Sequence, residues 1–174
     1  MQDEMTSQLL AHASAAAYQY GLAPTDPDTL WVTNPPLGTG LSGYTLEPEE
    51  FTHVTTTPKK TGFHARIFTK KDSSGKFTEV IVAFTGTEPT TPSDIWTDIN
   101  LGRTQWDAKG AEVISYLNAN LATGAKIHFT GHSLGGGLAE YAAHDFLAQF
   151  AGAELASMQQ NVVLTTFNGL AGQQ

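Results

Sequence analysis

Cysteine is absent from all 174 residues. That excludes disulfide staples, a thiolate zinc site and a cysteine nucleophile together. Stability must therefore come from a packed core, and 40% hydrophobic residues over this length suit one domain spanning 1–174. Basic residues are scarce: 9 Lys and Arg stand against 17 Asp and Glu, for a formal net charge of -8. Such a surface repels phosphate backbones, so no nucleic-acid partner is expected. No apolar run is long enough to span a bilayer. The opening MQDEMTSQLL lacks a basic region followed by an apolar core. No ordinary signal peptide is read there, and secretion would have to use a route without one. His-Glu-x-x-His is absent and the 6 histidines are scattered, so neither a metal nor another cofactor is expected.

What is present reads as alternating helices and strands. Residues 3–20 form an alanine-rich helix with Met5, Leu9, Leu10, Ala13, Ala16 and Ala17 near one face. Residues 21–62, rich in Pro, Gly and Thr, read as a long ordered loop with short elements. Within it, Gly38 to Gly43 matches Gly-x-Gly-x-x-Gly, but Pro35 and Pro36 before it and Pro48 after it deny it the strand and helix a dinucleotide site needs. Residues 63–70 alternate, with Phe63, Ala65, Ile67 and Thr69 on one side, and a polar turn leads into a strand over 77–84. The run Val80-Ile81-Val82-Ala83-Phe84 marks that second strand as buried on both faces. Helices are expected over 104–121 and 134–150, with strands over 126–130 and 162–167. Helix, strand, helix, strand in that order predicts a right-handed crossover in a mostly parallel sheet flanked by helices.

The stretch GHSLGGGLAE, residues 131–140, contains Gly-x-Ser-x-Gly between a strand and a helix. A serine hydroxyl becomes a nucleophile only when its proton is removed and its oxygen is exposed. A sharp strand-to-helix turn exposes it, and small residues at Gly131 and Gly135 let strand and helix approach. Ser133 is then the expected nucleophile. The helix N-terminus favours developing negative charge, and the backbone N–H of Leu134 can serve the oxyanion. His132 is adjacent to the serine, but neighbours on so tight a turn point apart, so it reads as a packing residue. Thr87 stands just past the central strand at a carboxyl edge, where parallel-sheet sites collect, and its N–H and hydroxyl offer a second oxyanion donor.

The segments IVAFTGTEPTTPSDIWTDINL, IHFTGHSLGGGLAEYAA and VVLTTFNG together resemble the class 3 lipases, the fungal-lipase-like branch of the α/β-hydrolases. The alanine-rich first helix is similar as well. The resemblance implies an α/β-hydrolase-like fold, incomplete at its C-terminal end. It implies Ser133 as nucleophile, with Thr87 and the Leu134 amide as the oxyanion hole. It also implies a lid or lid hinge from Glu88 to about Asp98 that bears Trp96 in contact with substrate. Members usually carry arginine between the phenylalanine and glycine before the oxyanion residue; this chain carries Thr85. The implied substrate is a lipid or other carboxylic ester, with transient contact with a lipid surface.

The base and its orienting acid are the difficulty. In this fold they follow the serine, as Asp or Glu and then His. After Ser133 the acids are Glu140, Asp145 and Glu154, and the one histidine is His144. His144 lies roughly 17 Å along the same helix at the usual helical rise, beyond hydrogen-bond reach. His12, His53 and His64 precede the serine with no pattern to support them. The chain is therefore read as the N-terminal part of a lipase-type domain, and the triad Asp and His are expected on a complementary C-terminal polypeptide. The alternative is a catalytically silent hydrolase-like fragment or interaction module.

Overall fold

The computed structural model describes residues 2–17, 41, 43–48, 51–54, 62–86 and 99–167. The chain starts with α1 (Gln2–Ala16). The short strands β1 (Thr45–Leu46) and β2 (Phe51–Val54) follow inside the Pro/Gly-rich stretch. The hairpin β3 (Gly62–Lys71) and β4 (Phe77–Phe84) lies where alternation predicts it. Its turn is organised by Asp72, whose Oδ1 accepts from Ser74 N at 2.8 Å, Ser74 Oγ at 2.6 Å and Lys76 N at 3.1 Å. Gly75 supplies the positive φ of 84° that the turn requires.

Next come α2 (Ile99–Asn120), β5 (Leu121–His132), α3 (Leu134–Leu147), α4 (Gly152–Asn161) and β6 (Val162–Phe167). Leu121, expected at the end of a helix, instead opens β5, which is longer than the 126–130 core of the pattern. The helix α4 was not expected. None of its residues is buried, so no apolar stripe announces it.

The six strands of the described residues are ordered β1-β3-β4-β5-β6, with β2 also on β3. β4, β5 and β6 are parallel; β3 is antiparallel to β4, β1 and β2. The sheet is thus mixed in its pairings, yet every strand except β3 points the same way. This is the α/β-hydrolase arrangement, helices flanking a mixed sheet.

The two faces are covered separately. On one, α2 and α3 press Trp106, Val113, Leu117, Leu138, Ala142 and Phe146 onto Phe63, Ile67, Val82, Phe84 and Phe129. On the other, α1 lays Leu10, Ala13, Ala16 and Ala17 over Phe68, Ile81 and Ala83. Each fully buried Phe or Leu side chain contributes on the order of 2 kcal/mol of burial free energy. The α1 face also explains β3. Alternation puts Phe63, Ala65 and Ile67 inside, but His64, Arg66 and Phe68 on the other side are buried too.

Charges inside this frame are paired, as burial demands. Glu79 accepts from His128 Nε2 at 3.3 Å and Lys70 Nζ at 2.8 Å. The bond from His128, and then the one from Lys70, hold the Glu79 carboxyl well below the usual carboxylate range despite its burial. Glu47, just after β1, accepts from Thr69 Oγ1 at 2.5 Å and from Lys71 at 3.0 Å, which ties β1 to β3. The sheet ends differently at β6. Val163 is 38% and Leu164 43% exposed, on opposite faces of a strand whose outer edge carries no partner among the described residues.

The clamp between α2 and α3 is Trp106, whose Nε1–H donates to Asp145 Oδ2 at 2.7 Å. The Trp106 ring packs edge-on to Phe84 at 6.0 Å, so one bond fixes both helices against the sheet. Partial burial raises the Asp145 pKa, but hydrogen bonds from His144 and Trp106 outweigh it and leave the group below its ordinary 3.8. A lowered folded pKa means stability that is present above 3.8 and lost as pH falls through the lower folded value. Asp145→Asn should therefore cost about 1 kcal/mol at pH 7. Urea unfolding of both proteins from pH 7 to pH 2 should show that gap holding down to about pH 4 and closing below it.

Candidate active site

Ser133 stands between β5 and α3 with φ 56° and ψ -125°. It is the one non-glycine residue with positive φ among the described residues. Such a conformation costs about 1–3 kcal/mol and persists only where the surroundings enforce it. The enforcement is visible. A Cβ on Gly131 would overlap the Gly135 carbonyl and come within 2.8 Å of Gly136 N. A Cβ on Gly135 would overlap the Phe84 carbonyl and come within 2.8 Å of the Thr85 carbonyl carbon. The strand β5, the first turn of α3 and the end of β4 thus meet backbone to backbone. Ser133 N donates to Phe167 O at 3.1 Å, and Gly136 N to Ser133 O at 2.9 Å, so β6 and the helix hold the turn from both sides.

The positive end of α3 begins at Leu134, whose side chain is buried toward α2: a Cβ on Gly102 would sit 3.0 Å from Leu134 Cδ1. Ser133 itself is half-buried. This geometry presents a hydroxyl at the carboxyl end of a parallel strand beside a helix N-terminus, where negative charge is favoured. Nearby, Thr85 leaves β4 with both its N–H and its Oγ1–H donating to His64 O, at 3.1 and 3.0 Å.

Residues 10–168 match the family described as phospholipase-like, the Tle-like phospholipase domain. The chain belongs to that family. The class 3 lipase resemblance read from the sequence is supported to the level of a lipase-like family. No curated protein sequence matches the chain. Among solved structures, the domain is similar to M37 lipase, with 15% identity and a TM-score of 0.53 over 95% of this chain and 58% of that one. It is also similar to the lipase from Rhizopus microsporus var. chinensis, with 19% identity and a TM-score of 0.54 over 95% of this chain and 55% of that one. At these identities the likeness is one of fold. The domain spans 58% and 55% of the lengths of these two lipases.

Ser133 and Leu134 stand at the turn between β5 and α3. Thr87, Trp96 and the 88–98 segment lie outside the described residues, as do the side chains of His12 and His53. Three of the described histidines are held by groups other than Ser133. His144 is 78% exposed in the last turn of α3, the end away from the serine. There its Nδ1–H donates to Asp145 Oδ1 at 2.8 Å, an acid–imidazole pair at the opposite end of α3 from Ser133. His64 is buried, with its Nδ1–H donating to Ala17 O at 3.1 Å. His128 is held by Glu79. Among the described residues no group of His, Asp and Glu could hold a metal ion. The tether from Thr85 to the His64 carbonyl was not anticipated, because a bond to a main-chain group on another strand leaves no mark in the side-chain pattern.

The strain at Ser133 has a measurable consequence. Glycine adopts this conformation freely but loses about 1 kcal/mol to unfolded-state entropy. Ser133→Gly should still exceed Ser133→Ala in stability by about 1 kcal/mol, read as the urea midpoint of the two variants.

Proposed function

We propose that the domain supplies the nucleophile and oxyanion side of a lipid-ester hydrolase. One observation carries this reading: the strained Ser133 between Gly131 and Gly135, in a chain of a phospholipase-like family. Ser133 Oγ attacks the ester carbonyl carbon, and the Leu134 amide and Thr87 donate to the oxyanion. Collapse of the tetrahedral species expels the alcohol and leaves an acyl-serine. Water then attacks the acyl carbon, releases the acid and regenerates the hydroxyl. The base that moves these protons, and its acid, come from a polypeptide beyond these residues. The 88–98 segment covers the site as a lid, with Trp96 against substrate. Alone, the chain keeps only what the oxyanion hole and binding give, since losing the triad costs on the order of 10⁶ in kcat.

A second reading, a catalytically silent hydrolase-like module, is favoured by one fact. The described acid–histidine pair, His144 with Asp145, sits at the wrong end of α3.

Ser133→Ala should abolish ester hydrolysis and fluorophosphonate labelling in the longest natural form of the protein while leaving its circular dichroism unchanged. Labelling that persists at another residue rejects Ser133, and no labelling of the unaltered protein favours the silent module. Thr87→Val should lower kcat by roughly 10²-fold on a soluble p-nitrophenyl ester, with KM little changed. A rise in KM alone would reduce Thr87 to a binding role.

A further inference from the structure

We propose that Thr85 is a positioning residue, and that its hydroxyl holds the end of β4 against the serine turn. This rests on the reading of Ser133 as nucleophile. The β3–β4 ladder ends at the pair Ala65 and Phe84, so Thr85 is the first residue beyond it. A strand end would ordinarily fray here. Instead the His64 carbonyl takes two donors from one residue, Thr85 N at 3.1 Å and Thr85 Oγ1 at 3.0 Å. A carbonyl oxygen has two lone pairs, so both bonds are made at once. Thr85 is 3% and His64 5% exposed, so water does not compete for that carbonyl. His64 is itself anchored from the other side through Nδ1–H to Ala17 O at 3.1 Å, just past the end of α1.

What the tether holds is the peptide that Gly135 is small enough to meet. The Phe84 carbonyl and the Thr85 carbonyl carbon lie where a Gly135 Cβ would be. Any displacement of the β4 end must therefore move the first turn of α3, and with it Ser133 and the Leu134 amide. The contact is backbone on backbone, with no side chain between to absorb a shift. Misplacements well under the width of an atom are enough to cost catalysis heavily. The hydroxyl thus acts on the reaction through the helix, without touching the substrate.

Valine at this position keeps the shape and the N–H bond and removes only the hydroxyl. In the longest natural form of the enzyme, Thr85→Val should lower kcat by about tenfold to a hundredfold on a soluble short-chain ester, with KM within about twofold. The rate of fluorophosphonate labelling at Ser133 should fall in parallel, and Thr85→Ser, which keeps the hydroxyl, should stay within about threefold of the unaltered enzyme. A kcat in Thr85→Val within about threefold of the unaltered enzyme overturns the proposal, as does a KM effect without a kcat effect. Thr85→Ala takes the place of Thr85→Val if the latter does not fold. Amide hydrogen exchange separates this proposal from the functional reading. If the unaltered protein shows no Ser133-dependent turnover, the functional reading fails by itself. Exchange still decides the tether: faster exchange in the variant at both 84–86 and 133–136 supports it, and exchange changed only at 84–86, or nowhere, overturns it.

Discussion

The molecule is organised by a contact from which side chains are excluded. Gly131 on β5, Gly135 on α3 and the Phe84–Thr85 peptide at the end of β4 touch through backbone atoms. Nothing at that junction can rotate to relieve strain, so the relative placement of two strands and one helix is set to within the thickness of a peptide. The positive φ of Ser133 follows from it. A serine would leave that conformation for a relaxed one if either glycine carried a side chain, because the turn would then have to open. Strain at the candidate nucleophile and tight packing around it are one fact seen from two sides.

The rest of the fold transmits that constraint outward. Trp106 lies against Phe84 on the side facing α2, and its indole reaches Asp145 on α3. Thr85 and His64 connect the same strand end to the end of α1. The junction is therefore braced from both faces of the sheet. The charges that burial encloses serve a related purpose farther from the serine. Glu79 between His128 and Lys70, and Glu47 between Thr69 and Lys71, each tie neighbouring strands. Breaking one partner would leave a charge with little solvent to repay it, which makes strand register costly to change.

The far side of the sheet is less finished. β5 is enclosed, with α1 over one face and α3 over the other, whereas β6 exposes Val163 and Leu164 and α4 reaches the core only through the half-buried Met158. Phe167 at the end of that strand nevertheless accepts the Ser133 amide. A strand with little packing of its own thus holds the turn that the proposed chemistry needs. Local stability at β6 and the shape of the serine turn are coupled through that bond and through the β5–β6 ladder that runs up to it.

By itself, the sequence determined the features that repeat over short distances. Alternation and β-branching placed the β3–β4 hairpin and the 162–167 strand, and the spacing of Gly131, Ser133 and Gly135 marked the turn. These are properties of a segment and its own period, so they can be read without knowing what lies across from it. Helix α4 was illegible because it has no buried face to imprint a period, and β1 and β2 because two to four residues are too few to show one. Only the tertiary structure decided that both faces of β3 are covered, that His64 and Thr85 meet 21 residues apart, and that His144 and Asp145 pair far from the serine. Those outcomes depend on which helix packs over which face of the sheet, a choice made by long-range burial rather than by any local pattern.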